Sequence, residues 1–325
     1  MNALRSLHSF LSGPPGTPAL GRWAWCLGSL ALLGMLSPPW LQHLAVMAAG
    51  HGLVALGVVA MMRGGVVSFG QGAAFACGGY IAAWLPMALG VHDLLVLLAA
   101  SALGATLLSA PFSWLLASYR GIFFSTLTLA LSMVVFGLLS KCDTLGGSDG
   151  LNAMRPSLLG IDLASDSGSR LTYLVALAVT AGMAAIAHRH FHSESGGLSM
   201  AARDNEIRVT YLGASVRRLM RLNHLFAAWC AGLGGAMVVT SLGHVEPQFS
   251  YWTTSGEFVF VAVLAGCRSV PAVFLSAALL EAVRSVAGAH FPLAWQMLLG
   301  AFLLLVIRFL PQGLGSLWAP HKETA

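Results

Sequence analysis

Charged residues are scarce in this chain. Only 9% of its 325 residues are Asp, Glu, Lys or Arg, and 57% are hydrophobic, whereas a soluble globular protein averages roughly 25% charged residues. This composition excludes a water-soluble domain and a disordered chain, and five scattered cysteines exclude a secreted disulfide scaffold. No strand-like alternation of apolar and polar residues suggests a β-barrel. We therefore predict an all-α polytopic membrane protein.

Long runs without a formal charge locate the membrane segments. The first run lies between Arg22 and Arg63 and has 40 residues. A membrane-spanning helix needs about 20 apolar residues, so this run is long enough for two. The runs predict one transmembrane domain over residues 22–315, flanked by cytoplasmic tails at 1–21 and 316–325. We expect about ten hydrophobic segments, of which eight to ten are spans: 22–37, 41–62, 66–85, 93–117, 121–140, 171–188, 224–242, 254–266, 271–287 and 293–310.

The distribution of Lys and Arg predicts the orientation. Cytoplasmic loops of membrane proteins carry an excess of these residues. With a cytoplasmic N-terminus, 13 cations fall inside and four outside, which favours cytoplasmic placement of both termini. The cations expected inside are Arg5, Arg22, Arg63, Arg120, Arg189, Arg203, Arg208, Arg217, Arg218, Arg221, Arg268, Arg308 and Lys322; those expected outside are Lys141, Arg155, Arg170 and Arg284.

Two predicted loops are longer than turns. The loop at 141–170 is expected on the periplasmic side, and the loop at 189–223 is expected in the cytoplasm. The cytoplasmic loop contains a predicted helix over Ala201–Arg208, with Gly213 as its stop. Its charges either contact a partner or belong to a solvated connector, and residue type alone leaves both interpretations open.

Sequence motifs for catalysis are missing. The chain has no metalloprotease, serine-hydrolase or paired-cysteine metal signature. It has two lysines, Lys141 and Lys322, and neither belongs to a G-x-x-x-x-G-K-[ST] phosphate loop. We expect no enzyme activity, no metal and no cofactor in this chain, so any ATP must be used by partner subunits. The basic pI of about 9.2 reflects topology, and no nucleic-acid binding is expected.

Ionisable residues inside predicted spans point to function, because a charge at mid-bilayer is disfavoured by about 2.5–3.5 kcal/mol. Glu257 is placed near the outer mouth of its segment, where water can hydrate it. Glu281 lies deeper, and the i, i+3 spacing to Arg284 predicts an intramembrane ion pair. A structural ion pair is favoured over an ion relay.

The segment Arg63–Tyr80 is unusually rich in glycine, with six glycines in 18 residues. Such a sequence weakens an isolated helix, but in a bundle it permits irregular backbone beside a cavity. Ser68 and Gln71 then provide uncharged hydrogen-bonding groups for a small polar solute. The alternative interpretation is close helix packing through the glycines.

Several motifs together resemble one family of transport proteins. In order and spacing they are similar to the inner-membrane permeases of branched-chain amino-acid ABC transporters, across about residues 40–315, and most similar to the M-type permease subunit. These motifs are Ser68-Phe-Gly-Gln-Gly-Ala-Ala-Phe75 with Gly79-Tyr80, Tyr119-Arg-Gly-Ile-Phe-Phe124, Leu145-Gly-Gly-Ser-Asp-Gly-Leu151, Ala202-Arg-Asp-Asn-Glu-Ile207 with Leu212-Gly213, and Glu281-Ala-Val-Arg284 near Trp295-Gln296.

The resemblance implies an importer in the bacterial inner membrane, in contact with the lipid bilayer. Its other parts would be a second permease subunit, two cytoplasmic ATP-binding subunits and a periplasmic solute-binding protein. The segment Ala201–Gly213 would couple to the ATPases through Arg203, Asp204, Asn205, Glu206, Leu212 and Gly213, and the translocation path would include Ser68, Gly70, Gln71 and Gly72.

The substrate class and the energy source remain open at this stage. The resemblance implies import of branched-chain amino acids or a related small polar solute. The alternative is an ion-coupled secondary transporter that acts alone. Adjacent genes for an ATPase and a binding protein would favour the importer.

Overall fold

The computed structural model describes residues 28–32, 34–158, 161–162, 166–267, 269–291, 294–309 and 313–315. The predicted tails at 1–21 and 316–325 lie outside the described residues. So does Arg268, one of the cations that were expected inside.

Helices dominate the described chain. Residues 28–32 and 34–36 are helical and precede the first long helix. The helices that follow are α1 (Pro39–Arg63), α2 (Gln71–Leu89), α3 (Leu94–Leu116), α4 (Gly121–Lys141), α5 (Asp166–His192), α6 (Glu194–Asp204), α7 (Glu206–Tyr211), α8 (Val216–Leu242), α9 (Trp252–Ala265), α10 (Val270–His290) and α11 (Trp295–Phe309).

Seven of these helices are long and apolar enough to cross a membrane, namely α1 to α5, α8 and α10. Two more are apolar but shorter, α9 with 14 residues and the Met297–Val306 part of α11. The prediction of an all-α polytopic membrane protein is confirmed. The predicted segment at 22–37 is described only from residue 28, without residue 33.

An antiparallel pair of helices, α1 and α8, forms the centre of the bundle. Gly50 lies against Gly234, and Gly57 lies against Ala227. The second contact is seven residues later on α1 and seven residues earlier on α8, as expected for antiparallel helices. A Cβ atom added at Gly57 would lie 2.8 Å from the Ala227 Cα atom. Small residues therefore allow the two backbones to approach closely. Helices α2 and α3 pack on α8, whereas α5 and α10 pack on α1.

The spans that follow α1 and α8 are each preceded by irregular backbone; the first begins later than predicted, whereas α9 begins at Trp252, within two residues of the predicted start at 254. Residues 64–70 are not helical, so α2 begins at Gln71 and not at residue 66. Likewise, α8 is followed by a strand residue pair, a 3₁₀ turn at Pro247–Ser250 and then the short helix α9. Glycine-rich and proline-containing sequence explains both interruptions, because neither residue supports helix interiors.

The predicted periplasmic loop contains short strands that hydropathy did not indicate. They are β1 (Leu151–Asn152), β2 (Ser157–Leu158) and β3 (Ile161–Asp162); a fourth strand, β4 (His244–Val245), directly follows α8. β1 pairs with β4, and β2 pairs with β3, both antiparallel. Pairing of β1 with β4 ties this loop to the segment that follows α8, and both strands pack against α2.

The predicted cytoplasmic loop folds into two short helices instead of one. The predicted helix at Ala201–Arg208 is interrupted at Asn205, whose backbone is extended (φ −158°, ψ 102°). The Asn205 side chain accepts a hydrogen bond from the Arg208 N–H at 2.9 Å and so caps α7. This interruption was missed because Asn205 has a charged, helix-like neighbourhood. The predicted stop is confirmed, since α7 ends before Gly213, which has φ +81°.

Candidate functional site

The irregular segment 64–70 runs back into the bundle alongside α4. The Ser125 hydroxyl donates to the Val67 carbonyl at 2.8 Å, and the Phe69 N–H donates to Thr128 Oγ1 at 3.1 Å. Since these α4 residues lie progressively further from the Gly121 end, the segment runs from the end of α1 towards the middle of α4. The predicted irregular backbone in this glycine-rich region is present.

A second irregular segment enters the bundle from the opposite side. The Ser132 hydroxyl, on the twelfth residue of the 21-residue helix α4, donates to the Ser250 carbonyl at 2.6 Å. This contact places the 3₁₀ turn before α9 at the middle of α4. The two segments meet where the Gly72 N–H donates to Ser255 Oγ at 2.9 Å. Both α2 and α9 therefore begin inside the bundle.

The four residues predicted for the translocation path lie at this junction. Ser68 is fully buried, and its hydroxyl accepts from the Gly70 N–H at 3.3 Å. Gln71 is the first residue of α2 and only 2% exposed. Its Oε1 atom accepts no hydrogen bond from any described residue. A Cβ atom added at Gly70 would lie 2.9 Å from the Thr128 carbonyl oxygen, and one added at Gly72 would lie 2.6 Å from Ser255 Oγ.

An open route is not visible at this junction in the described chain. A cavity of about 160 Å³ lies elsewhere, between α1, α5 and α10. Its lining includes Leu30, Ala45, Tyr173 and Phe274 and is almost entirely apolar. Ser68 and Gln71 do not contribute to it. Because the Ser68 and Gln71 side chains are buried, the described conformation is closed at the level of Gln71.

Four ionisable side chains form a network beside this junction. Glu281 and Arg284 of α10 lie 3.8 Å apart, as the i, i+3 spacing predicted. Each also has a partner on another helix that the sequence did not indicate. The His51 Nδ1 atom of α1 lies 2.9 Å from Glu281 Oε2, and Arg284 forms an ion pair with Glu257 of α9. The network thus joins three helices at mid-span.

Two sequence interpretations of these residues are corrected by the network. Glu257 is not a hydrated residue at an outer mouth, because it pairs with Arg284 within the bundle. Arg284 is not in a periplasmic loop, because it lies inside α10. His51 was missed because histidine was counted as uncharged within a long apolar run. Its ring also lies 6.1 Å from Phe75 and 5.8 Å from Phe258 between centroids, which surrounds it with aromatic faces.

The predicted coupling residues lie on α6, α7 and the turn that follows. Arg203, Asp204 and Asn205 are exposed, as are Leu212 and Gly213. Glu206 is engaged within the chain, since Arg120 Nε lies 2.5 Å from Glu206 Oε1. Arg120 precedes α4, so this ion pair holds α7 against the turn between α3 and α4. Sequence analysis could not find it because the two residues are 86 positions apart.

Large side chains on α7 and on Leu212, the residue that follows it, project away from the bundle. Ile207 is 69% exposed, Tyr211 88% and Leu212 72%. Val209 on the other face is buried against α8 and its neighbours. A short helix with one face anchored in the bundle and an apolar opposite face forms a protruding surface on the predicted cytoplasmic side.

Comparison with known families agrees with this architecture. A family described as "Branched-chain amino acid transport system / permease component" matches residues 41–307, which is most of the chain. The chain belongs to this permease family. Together with its apolar helices, membership identifies a multi-pass protein of the inner membrane.

Individual relatives of this permease are distant. The high-affinity branched-chain amino acid transport system permease protein LivM of Escherichia coli is 26% identical over 226 residues, which cover 63% of this chain and 53% of the relative. LivM of Salmonella typhimurium is 27% identical over 226 residues with the same coverage. The chain therefore matches about half the length of these curated relatives. No solved structure matches it.

Proposed function

We propose that this chain is the permease subunit of an ATP-driven importer for branched-chain amino acids or a related small polar solute. The observation that carries the proposal is the meeting of two irregular segments in the middle of the helix bundle beside Gln71. Irregular backbone at membrane depth is tolerated where it is buried in protein or lines a cavity, and in transporters such interruptions surround the substrate site.

The chemistry of the junction suits a small zwitterion. Helices α2 and α9 both begin there, and the positive ends of their dipoles favour a carboxylate. The unpartnered Gln71 Oε1 atom provides an acceptor for an ammonium group. Ser68, Gly70 and Gly72 keep the surrounding wall narrow and uncharged. Because this level is closed in the described conformation, transport requires the two segments to separate.

Separate subunits supply the remaining functions in this proposal. Two cytoplasmic ATP-binding subunits use ATP and contact α6, α7 and the turn to Gly213. The exposed apolar side chains of α7 support that docking, since apolar anchors within a polar rim are typical of interfaces. A second permease subunit completes the path, and a periplasmic solute-binding protein docks on the outer loop.

The corresponding experiment measures uptake by the complete importer in proteoliposomes. Gln71→Leu should lower the uptake of labelled leucine by about tenfold or more, because an apolar side chain removes the hydrogen-bond acceptor at the junction. The matched control is Gln42→Leu, which removes another buried amide, one that donates to the Gly34 and Ser37 carbonyls ahead of α1 and accepts from the Ser169 hydroxyl. We expect uptake per assembled complex to survive in this control.

Two results would contradict the proposal. Normal uptake by a well-assembled Gln71→Leu variant would assign the glycine-rich segment to packing. Uptake by the permease without ATPase subunits, driven by an imposed ion gradient, would favour a secondary transporter.

A further inference from the structure

A buried polar cluster links the cytoplasmic helix α6 to two spans. The Asn223 side chain of α8 donates from Nδ2 to Ser199 Oγ of α6 at 3.1 Å. Its Oδ1 atom lies 3.1 Å from His190 Nε2 of α5. Asn223 and Ser199 are each 2% exposed. We call Ser199, Asn223 and His190 the amide cluster.

The contacts of the amide cluster fix its geometry from several sides. The His190 ring stacks on Phe226 of α8, with centroids 5.1 Å apart and an interplanar angle of 25°. The imidazole therefore keeps its orientation towards the amide. Gly64 packs directly on Asn223, since an added Cβ atom would lie 3.2 Å from Nδ2. A larger residue at position 64 would displace the amide.

The same region continues towards the junction at Gln71. Gly65, with φ +82°, lies against Arg203 of α6, and an added Cβ atom would be 3.3 Å from the Arg203 Cα atom. Gly64 and Gly65 begin the irregular segment that leads to Ser68 and Gln71. Helix α6 thus contacts the start of this segment, and the amide cluster joins α6 to α5 and α8.

We propose that Asn223 is a positioning residue that couples movement of α6 to the spans and to the segment 64–70. This inference rests on the proposed function, because it assumes that ATPase subunits move α6. Directional hydrogen bonds within a buried cluster make α6, α5 and α8 move together, and packed networks of this kind carry coupling between distant sites. On the other side of the extended residue Asn205, α7 is held separately by Arg120.

The test measures substrate molecules imported per ATP hydrolysed by the reconstituted importer. Ser199→Ala removes one hydrogen bond with little change in volume, and Asn223→Leu removes both. We expect each variant to lower this ratio by roughly fivefold, while ATP hydrolysis and the amount of assembled complex stay near wild type. The control is Ser195→Ala, which removes a half-buried hydroxyl from the same helix, one that contacts only the Ser193 hydroxyl among the described residues and lies outside the amide cluster.

A double variant separates coupling from general damage. If both residues act through one cluster, Ser199→Ala with Asn223→Leu should be no worse than Asn223→Leu alone. Unchanged ratios in both single variants would overturn the proposal. A fall in complex assembly that accounts for the whole loss of uptake would also overturn it, by assigning the cluster a structural role. Failure of the wild-type importer to take up any amino acid would instead contradict the proposed function.

Discussion

Arg284 forms ion pairs with both carboxylates of the mid-span network, so its removal should be the most damaging change there. Arg284→Met leaves Glu257 without its partner and Glu281 with His51 alone. Removing one member of a buried ion pair costs about 3–5 kcal/mol. Because the Arg284 and Glu257 side chains are 26% and 22% exposed, we expect the lower end, a loss of about 3 kcal/mol in the free energy of unfolding.

A second substitution should recover part of this loss. With Glu257→Gln added to Arg284→Met, no unpaired carboxylate remains on α9, and the variant should return to within about 1.5 kcal/mol of wild type. The assay is reversible unfolding of the purified protein in mixed detergent micelles. Arg308→Met, at the exposed end of α11, is the matched control. The reasoning is refuted if Arg284→Met costs less than about 1 kcal/mol or if the double variant is no more stable than Arg284→Met.

Two further predictions concern packing and orientation. Gly235→Ala should destabilise the protein by at least about 2 kcal/mol, because an added Cβ atom would lie 2.0 Å from the Phe75 carbonyl oxygen. The control is Gly182→Ala, where an added Cβ atom has no neighbour within 4 Å. Equal stabilities of the two variants would contradict the close packing of α2 on α8. In a cysteine-free background, a membrane-impermeant thiol reagent applied to intact cells should label a cysteine at position 149 but not one at position 205, and the reverse pattern would invert the predicted topology.

The sequence predicted the spans well because burial in a bilayer demands long charge-free runs, which are local features. It also predicted the Glu281–Arg284 pair, since that contact lies within one helix turn. Partners on other helices could not be predicted, because charge patterning carries no information about which helices are neighbours. His51 and the Arg120–Glu206 pair are examples. The start of α2 was misplaced because hydropathy does not distinguish apolar irregular backbone from helix.

The backbone N–H groups at the start of α2 have side-chain acceptors far along the chain, and this has a consequence for biogenesis. The Phe69 N–H is accepted by Thr128, which is synthesised 59 residues later, and the Gly72 N–H is accepted by Ser255, 183 residues later. When α2 enters the membrane during translation, neither acceptor has yet reached the membrane. Its amino-terminal end must therefore stay hydrated or pair with temporary partners until α4 and then α9 arrive. The native hydrogen bonds of the α2 start are therefore completed late, only after α9 has left the ribosome.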